Sequence, residues 1–186
     1  MAMLFVNACM REGSRTERIA RQWLEHHGGA VEELRLSQLE VPTLDANSIV
    51  QYEQAVASAN YEHPMFDFAK QFATAEEILI AAPVWNNGIP AKLHAYLELV
   101  CSQGITFDIG QDGYVSLCRA KRLTFVTTAG GPMPEGADEH AFGYVRTLAT
   151  VFWHIPDVRC VFADSLDQPD TDVDQALAMA IENAAR

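Results

Sequence analysis

The sequence predicts an α/β protein built on a doubly wound parallel sheet, and two observations lead to this fold class. Short, apolar, β-rich runs alternate along the chain with longer segments whose apolar residues recur at helical spacing. A run such as EILIAAP is apolar at consecutive positions, which is typical of a strand buried on both faces. Such a sheet needs helices on both sides, joined to its strands by right-handed crossovers.

Five strands and six helices are expected. The strands cover residues 4–7, 31–36, 78–82, 123–127 and 158–162. The helices cover residues 16–26, 49–60, 63–74, 91–101, 141–153 and 171–185. This spacing fits the strand order 2-1-3-4-5, in which ligands bind outside the carboxyl ends of strands 1, 3 and 4. Residues 102–119 have no clear periodicity, so we expect a functional loop or a local hairpin there.

Composition and charge narrow the classes of function. The 186 residues fit one domain, 1–186, and no apolar run approaches the ~18 residues of a membrane span. A formal net charge of -12 disfavours nucleic acid and acidic membrane surfaces as partners. The four cysteines lie far apart and the histidines lack metal-ligand spacing, so no disulfide framework and no metal site are predicted. The start, MAMLFV, is too short for a signal peptide, and we expect a cytoplasmic protein.

Three loops at the expected binding edge contain unusual residues. Strand 1 is followed by ACMREGSR, strand 3 by PVWNNGIP and strand 4 by TAGGPMPEG. Glycine and proline occur in any loop, so each of these sequences alone is weak support for a site. Because all three follow strands that end at the same edge, together they predict a ligand site there.

The first of these loops predicts a phosphate site. Ser14 and Glu17 form an S-x-x-E capping box, which starts a helix at Arg15. A helix N-terminus preceded by a flexible residue, here Gly13, binds anions through its dipole and its free N–H groups. Four of only thirteen basic residues lie within eleven positions of this segment: Arg11, Arg15, Arg18 and Arg21. The alternative is that these arginines form an ordinary solvated helix face and that the serine is only a cap.

The second and third loops predict a site for a flat heterocycle. Gly88 permits a positive φ, and Trp85 and Asn86 would stand just beyond the sheet edge. An aromatic face beside amide groups suits a planar ligand. Gly130 and Gly131 would expose backbone amides after strand 4. The alternative is that the tryptophan fills the core and that the other residues only form turns.

These segments resemble a known family. APVWNNGIPAKLHAYLELV resembles the P-x-Y-N-x-G-I-P-x-x-L-K segment of the FMN-dependent NADH azoreductases and their NAD(P)H:quinone oxidoreductase relatives, which have a flavodoxin-like fold. TTAGGP resembles their glycine pair, GSRT their phosphate loop, and the similarity continues to FADSLDQ. Three positions depart from the family pattern: tryptophan replaces the usual tyrosine, Asn87 stands where an aromatic residue is common, and Cys9 stands where serine is frequent.

The resemblance implies a cofactor, FMN, and the residues that would hold it. Ser14, Arg15 and Thr16 would bind its phosphate, and the full set of candidate cofactor-binding residues is Cys9, Ser14, Arg15, Thr16, Pro83, Val84, Trp85, Asn86, Asn87, Thr128, Gly130 and Gly131. His140 is the candidate catalytic residue, as a proton donor. The resemblance also implies a homodimer with the flavin site at its interface. Hydride would pass from NADH or NADPH through the flavin to a quinone, azo or nitro acceptor in a ping-pong mechanism.

Two alternative functions remain open at this stage. Cys9 and Arg15 fit the C-x5-R-[ST] signature of a cysteine phosphatase, in which a thiolate of lowered pKa is the nucleophile. However, the chain has no Asp-Pro dipeptide to supply the general acid of the low-molecular-weight phosphatases. A flavodoxin-type electron carrier would also have an acidic surface, but the phosphate loop lacks the T-x-T-G-x-T pattern of those carriers.

Overall fold

In the part of the chain that the structure describes, seven strands form one parallel sheet and one separate hairpin. In chain order they are β1 (Ala2–Asn7), β2 (Ala30–Arg35), β3 (Glu77–Ala81), β4 (Phe107–Gly110), β5 (Gly113–Ser116), β6 (Arg122–Thr128) and β7 (Asp157–Ala163). The structure, a computed structural model, describes residues 2–26, 28–134 and 141–184. The sheet has the order β2-β1-β3-β6-β7, and all its pairs are parallel. Without the antiparallel β4–β5 hairpin, which lies in the expected 102–119 connection, this is the predicted order 2-1-3-4-5.

Among the described residues, six α-helices accompany the sheet: α1 (Arg15–Glu25), α2 (Ala46–Ser58), α3 (Asp67–Thr74), α4 (Ala91–Val100), α5 (Phe142–Thr147) and α6 (Val173–Ala184). The predicted helix at 63–74 is divided, because Pro64 opens a short 3₁₀ turn that ends before α3 begins. The predicted helix at 141–153 is also divided, since α5 continues as one π-helical turn, Leu148–Phe152. π-helical turns are rare in proteins, and many of those that occur lie near functional sites.

Helices cover both faces of the sheet, as the apolar runs predict. Leu4 and Val6 of β1 face a core cluster shared with α3, α4 and α5. Phe5, between them, faces a second cluster that contains Ile19 of α1 and Leu177 of α6. A fully buried side chain of this size stabilises the fold by about 1.5–3 kcal/mol. Packing on both faces fixes the helices against the sheet. Because β1, β3 and β6 pair in parallel, their carboxyl ends lie together at one edge.

Helix α2 differs from the others because none of its residues is buried. Its Ile49 and Val50 are 46% and 50% exposed. Together with Tyr52 and Phe66, Ile49 lines a cavity of about 300 Å³. Isolated helices of this length are only marginally stable in water. A helix without buried residues therefore receives little stabilisation from packing against the rest of this chain.

Candidate functional site

The loops that follow β1, β3 and β6 lie side by side at the carboxyl edge of the sheet. Backbone hydrogen bonds continue beyond the strand ends: the N–H of Ala8 donates to the carbonyl of Ala81 (2.8 Å), and that of Val84 donates to the carbonyl of Thr128 (2.9 Å). The three loops therefore start from fixed, adjacent positions. Their predicted site residues are neighbours, but His140 lies outside the described residues.

The first loop leads into a helix N-terminus with free amides. Gly13 has a positive φ of 68°, and the Ser14 hydroxyl accepts a hydrogen bond from the N–H of Glu17 (3.4 Å), so Ser14 caps α1. Within the described part of the chain, the N–H groups of Ser14, Arg15 and Thr16 have no acceptor, although Ser14 and Thr16 are buried. A cavity of about 500 Å³ adjoins this turn. Buried donors without acceptors are rare, and an anion would satisfy these.

Arg15 is directed at the loop after β7. Its Nη1 donates to the carbonyl of Leu166, and its Nη2 donates to the carboxylate of Asp167, each at 2.5 Å. An anion at the helix N-terminus would thus approach a guanidinium whose charge Asp167 already balances. The sequence does not predict this contact, because Asp167 lies 152 residues further along the chain.

Two further arginines of this segment are also paired with carboxylates. Arg18 lies 2.8 Å from Asp174 of α6, and Arg21 lies 2.6 Å from Glu33 of β2. Among the residues that the structure describes, Arg11 has no ion-pair partner. The local positive charge inferred from the sequence is therefore largely balanced by carboxylates, which leaves the backbone amides as the main groups of this turn that could hold an anion.

Only one of the two hydrogen bonds of the predicted capping box is found, the one from the Glu17 N–H to the Ser14 hydroxyl. Its carboxylate pairs with Arg35 of β2 and with Arg21, one turn further along α1. The hydrogen bond from Arg35 is the largest cause that holds the pKa of Glu17 below its ordinary value. The carboxylate is consequently fixed on β2 and does not bind the N–H of Ser14.

Cys9 lies beneath the first loop in a position that does not suit a nucleophile. Its side chain is 1% exposed, its N–H donates to Asn7 Oδ1 (3.0 Å), and its Sγ donates to the carbonyl of Ala81 (3.7 Å). Burial raises the pKa of the thiol to about 11, whereas a phosphatase needs a lowered pKa. Because Arg15 also points at Asp167, the arrangement of these two residues disfavours the phosphatase alternative.

The second loop is a tight hairpin turn that presents Trp85. Trp85 and Gly88 exchange two backbone hydrogen bonds of 3.0 and 2.9 Å, and the two residues between them, Asn86 and Asn87, have φ values of 51° and 61°. Two central residues with positive φ are typical of a type I′ turn. The positive φ expected at Gly88 thus occurs at the asparagines, which tolerate it better than other non-glycine residues. Trp85 is 45% exposed and does not fill the core.

The third loop is tied to the segment that follows β7. The carbonyls of Ala129 and Gly130 accept hydrogen bonds from the N–H groups of Leu166 (3.3 Å) and Asp167 (2.7 Å). The N–H groups of Gly130 and Gly131 have no acceptor in the described ranges. Their role as donors to a ligand stays a prediction.

Gly130 lies directly against the Asp167 side chain. A Cβ atom added at Gly130 would lie 1.9 Å from Asp167 Oδ2, whereas a Cβ atom at Gly131 would meet nothing within 4 Å. Asp167 therefore contacts both Arg15 of the first loop and the glycine pair of the third. Sequence reasoning missed this residue, because FADSLDQ contains two acidic residues, Asp164 and Asp167, and nothing local distinguishes the second.

The other candidate residues lie between these loops. Pro83 and Val84 are half-buried at the end of β3. The hydroxyl groups of Thr16 and Thr128 are hydrogen-bonded at 2.6 Å. In the described ranges, no group of three His, Cys, Asp or Glu side chains is placed to hold a metal ion, and no helix is long and apolar enough to cross a membrane.

Comparison with known proteins gives matches over the whole chain. A family model described as a flavodoxin-like fold matches residues 1–186. The chain is 38% identical over 125 residues to FMN-dependent NADH:quinone oxidoreductase 2 of Clostridium acetobutylicum, a match that covers 66% of this chain and 62% of that protein. It is 30% identical over 181 residues to the FMN-dependent NADH:quinone oxidoreductase of Coprothermobacter proteolyticus, covering 93% of this chain and 90% of that protein.

Solved structures are similar over the full length. An azoreductase from Bacillus anthracis has a TM-score of 0.81 at 24% identity, covering 100% of this chain and 97% of that one. An FMN-dependent NADH-azoreductase from Bacillus anthracis in complex with FMN has a TM-score of 0.79 at 21% identity, covering 100% and 98%. At these identities the likeness establishes the fold.

Proposed function

Because the chain belongs to the flavodoxin-like family of FMN-dependent NADH:quinone oxidoreductases and azoreductases, we propose that it is an FMN-dependent oxidoreductase that takes hydride from NADH. The acceptor is a small quinone, azo or nitro compound. One observation carries the proposal: free amides at the start of α1, the exposed ring of Trp85 and free amides at the glycine pair lie along a single edge of the sheet.

The first loop fits the phosphate of FMN. The N–H groups of Ser14, Arg15 and Thr16 are the donors, and the positive end of the α1 dipole adds to their attraction for a dianion. Gly13, with its positive φ, lets the backbone curl around the phosphate. The cavity of about 500 Å³ beside this turn provides the space.

The second and third loops fit a flat ring system. Trp85 covers one face, while Asn86 and Asn87 supply amide groups at the rim. The free N–H groups of Gly130 and Gly131 would bind its edge, and Pro83, Val84 and Thr128 would line the same site. These preorganised donors stabilise negative charge that develops at the ring edge during reduction.

Bound FMN supplies the hydride-transfer chemistry, and the chain supplies binding and orientation. Trp85 and the glycine pair hold the donor and the acceptor in turn in the same space, so the kinetics are ping-pong. We propose His140, on the sequence alone, as the proton donor to a reduced acceptor. We expect no direct role for Cys9 beyond supporting the first loop.

We further propose that residues 1–186 act as one domain and associate as a homodimer with the flavin site at the interface. Helix α2 supports the dimer, because its exposed Ile49 and Val50 would be buried by a second copy. The net charge of -12 supports small molecules rather than nucleic acid or membranes as partners. Four free cysteines and an NADH substrate suit the cytoplasm.

The absorbance spectrum of the purified protein tests the cofactor. Yellow protein that oxidises NADH with benzoquinone, and gives parallel double-reciprocal plots, supports the proposal. Yellow protein without this activity indicates an electron carrier, and colourless protein that hydrolyses p-nitrophenyl phosphate indicates a phosphatase. Either result contradicts the proposal.

A pair of cap variants tests the position of the phosphate. Ser14→Ala removes the N-cap of α1, and Ser48→Ala removes part of the capping box of α2, which does not line the cavity beside the start of α1. Each loses about 1 kcal/mol of helix stabilisation. Weakened FMN binding is expected for the Ser14 variant alone, and equal binding in the two variants would contradict a phosphate at this turn.

Sedimentation equilibrium tests the dimer. Val50→Arg places a charge on the exposed apolar face of α2, and Gln51→Arg places the same charge at the next position, away from Ile49. The wild type and the Gln51 variant should be dimers, and the Val50 variant should dissociate. A monomeric wild type would contradict the dimer.

A further inference from the structure

Asp167 connects two parts of the proposed site that bind different ends of the ligand. Its carboxylate accepts a hydrogen bond from Arg15 at the start of α1, and its N–H donates to the carbonyl of Gly130. Its Oδ2 also occupies the space that a side chain at Gly130 would need. The first contact holds the proposed phosphate turn, residues 13–16 at the start of α1. The other two contacts hold the glycine pair, Gly130 and Gly131.

The neighbours of Asp167 strengthen this connection. Ser165 donates its N–H to the carbonyl of Gly131 (3.1 Å), and Asp164 accepts a hydrogen bond from the N–H of Met133 (2.8 Å). Leu166, whose carbonyl binds Arg15, is buried in the core beneath α1 and α6. Segment 164–167 is thus anchored below and bonded on both sides.

We propose that Asp167 and Arg15 form a positioning pair that fixes the glycine pair relative to the phosphate turn, so that both ends of one FMN molecule can be held at once. This inference rests on the proposed function. It gives Arg15 a different role from that of a direct phosphate ligand, since its guanidinium joins two loops. The pair touches the walls of the site rather than the reacting atoms.

The sign of a charge effect separates this inference from simple electrostatics. Asp167 is negative and lies beside a site for a phosphate dianion, so by charge alone its removal should strengthen FMN binding. A positioning role predicts the opposite, because the loss of the Arg15 contact lets the two loops move apart.

The decisive variant is Asp167→Asn, with Asp174→Asn as the matched control. Asp174 pairs with Arg18 of the same helix at 2.8 Å, so each variant removes one negative charge and one arginine contact near α1. We expect Asp167→Asn to bind FMN about tenfold more weakly, as the loss of one charge-assisted hydrogen bond implies, and Asp174→Asn to bind it as the wild type does. Asp167→Glu, which keeps a carboxylate, should recover part of the affinity.

Riboflavin, which has no phosphate, separates positioning from direct phosphate binding. A positioning pair predicts that Asp167→Asn also weakens riboflavin binding. If the loss is confined to FMN, or if Asp167→Asn binds FMN as tightly as the wild type or more tightly, the inference is wrong.

Amide exchange in the flavin-free protein provides a readout that needs no cofactor. Exchange at Ser165 and Leu166, whose N–H groups donate to the carbonyls of Gly131 and Ala129, should be faster in Asp167→Asn than in Asp174→Asn, at equal global stability in urea. Equal exchange in the two variants would overturn the inference. A wild type that binds no flavin would refute the proposed function, and the exchange comparison would still decide whether the pair holds the two loops.

Discussion

The hydroxyl groups of Thr16 and Thr128 lie 2.6 Å apart, and both residues are buried. Thr16 belongs to the first turn of α1, and Thr128 ends β6, so this bond joins the phosphate turn to the strand that leads into the glycine pair. The adjacent Thr127 is also buried, but its hydroxyl has no hydrogen-bond partner in the described structure. The two neighbouring threonines form a natural matched pair.

Thr128→Val should destabilise the protein, whereas Thr127→Val should not. The first change leaves the buried Thr16 hydroxyl without a partner, which costs about 1–3 kcal/mol. The second removes a hydroxyl that is already unsatisfied, so the free energy of unfolding should stay the same or rise. Urea denaturation measures both values. Equal losses of unfolding free energy in the two variants would show that the Thr16–Thr128 hydrogen bond does not cause the destabilisation.

Gly130→Ala should disturb the site, and Gly131→Ala should not. A Cβ atom at Gly130 would lie 1.9 Å from Asp167 Oδ2, so the carboxylate must move and its contact with Arg15 is lost. We expect a loss of about 0.2–1 kcal/mol in unfolding free energy for this variant, because the displaced carboxylate is largely exposed and gives up one surface ion pair. Thermal unfolding checks this, with Gly131→Ala, which has open space around the new methyl, as the control. Similar stability of the two variants would contradict the close approach of Asp167.

Asn87→Ala should destabilise the turn that carries Trp85, whereas Asn87→Gly should be tolerated. Asn87 has a φ of 61°, which costs about 1–2 kcal/mol for a residue with an ordinary side chain and little for glycine. Urea denaturation of the two variants measures the difference. If alanine is as stable as glycine here, the turn has another conformation.

The stability of the protein should fall between pH 9 and pH 11. Burial raises the pKa of the Cys9 thiol from 9.0 to about 11, so in this range the folded state keeps a proton that the unfolded state loses. Each such thiol contributes a slope of at most about 1.4 kcal/mol per pH unit. Cys101 and Cys118, whose pKa values burial raises to about 12, act in the same direction.

Cys9→Ala provides the check. Urea denaturation at pH 8, 9, 10 and 11 should show a shallower decline for the variant than for the wild type, because one of the three thiols is absent. An unchanged slope would mean that Cys9 ionises as easily in the folded protein as in the unfolded one. At pH 7 the wild-type thiol should also react slowly with iodoacetamide until the protein is unfolded.

The topology and the location of the site could be predicted because their signals are local. Apolar runs and helical spacing are properties of short segments, and the sheet order follows from how they alternate. The cap at Ser14 and the exposed ring of Trp85 likewise depend on a few neighbouring residues. The motif WNNG allows a turn with positive φ at Asn87 or at Gly88, and only the backbone hydrogen bonds distinguish the two.

The contacts that hold the loops together could not be predicted, because they join distant segments. Arg15 and Asp167 are 152 residues apart in the chain, and Thr16 and Thr128 are 112 apart. A run of arginines in the sequence shows the positive charges of a helix but not the carboxylates that face them. Partners of this kind are set by the packing of β6 and α6 against α1.

The position of segment 164–167 in the chain also determines when the contacts between the loops can form during synthesis. The start of α1 is synthesised early. Its contacts with Leu166 and Asp167 can form only after β7 and the four residues that follow Ala163 have left the ribosome. A nascent chain that ends before this point has all three loops but lacks the segment that joins the first loop to the third. If Asp167 and Arg15 position these loops, tight binding of FMN needs a part of the chain that is synthesised after all three of them.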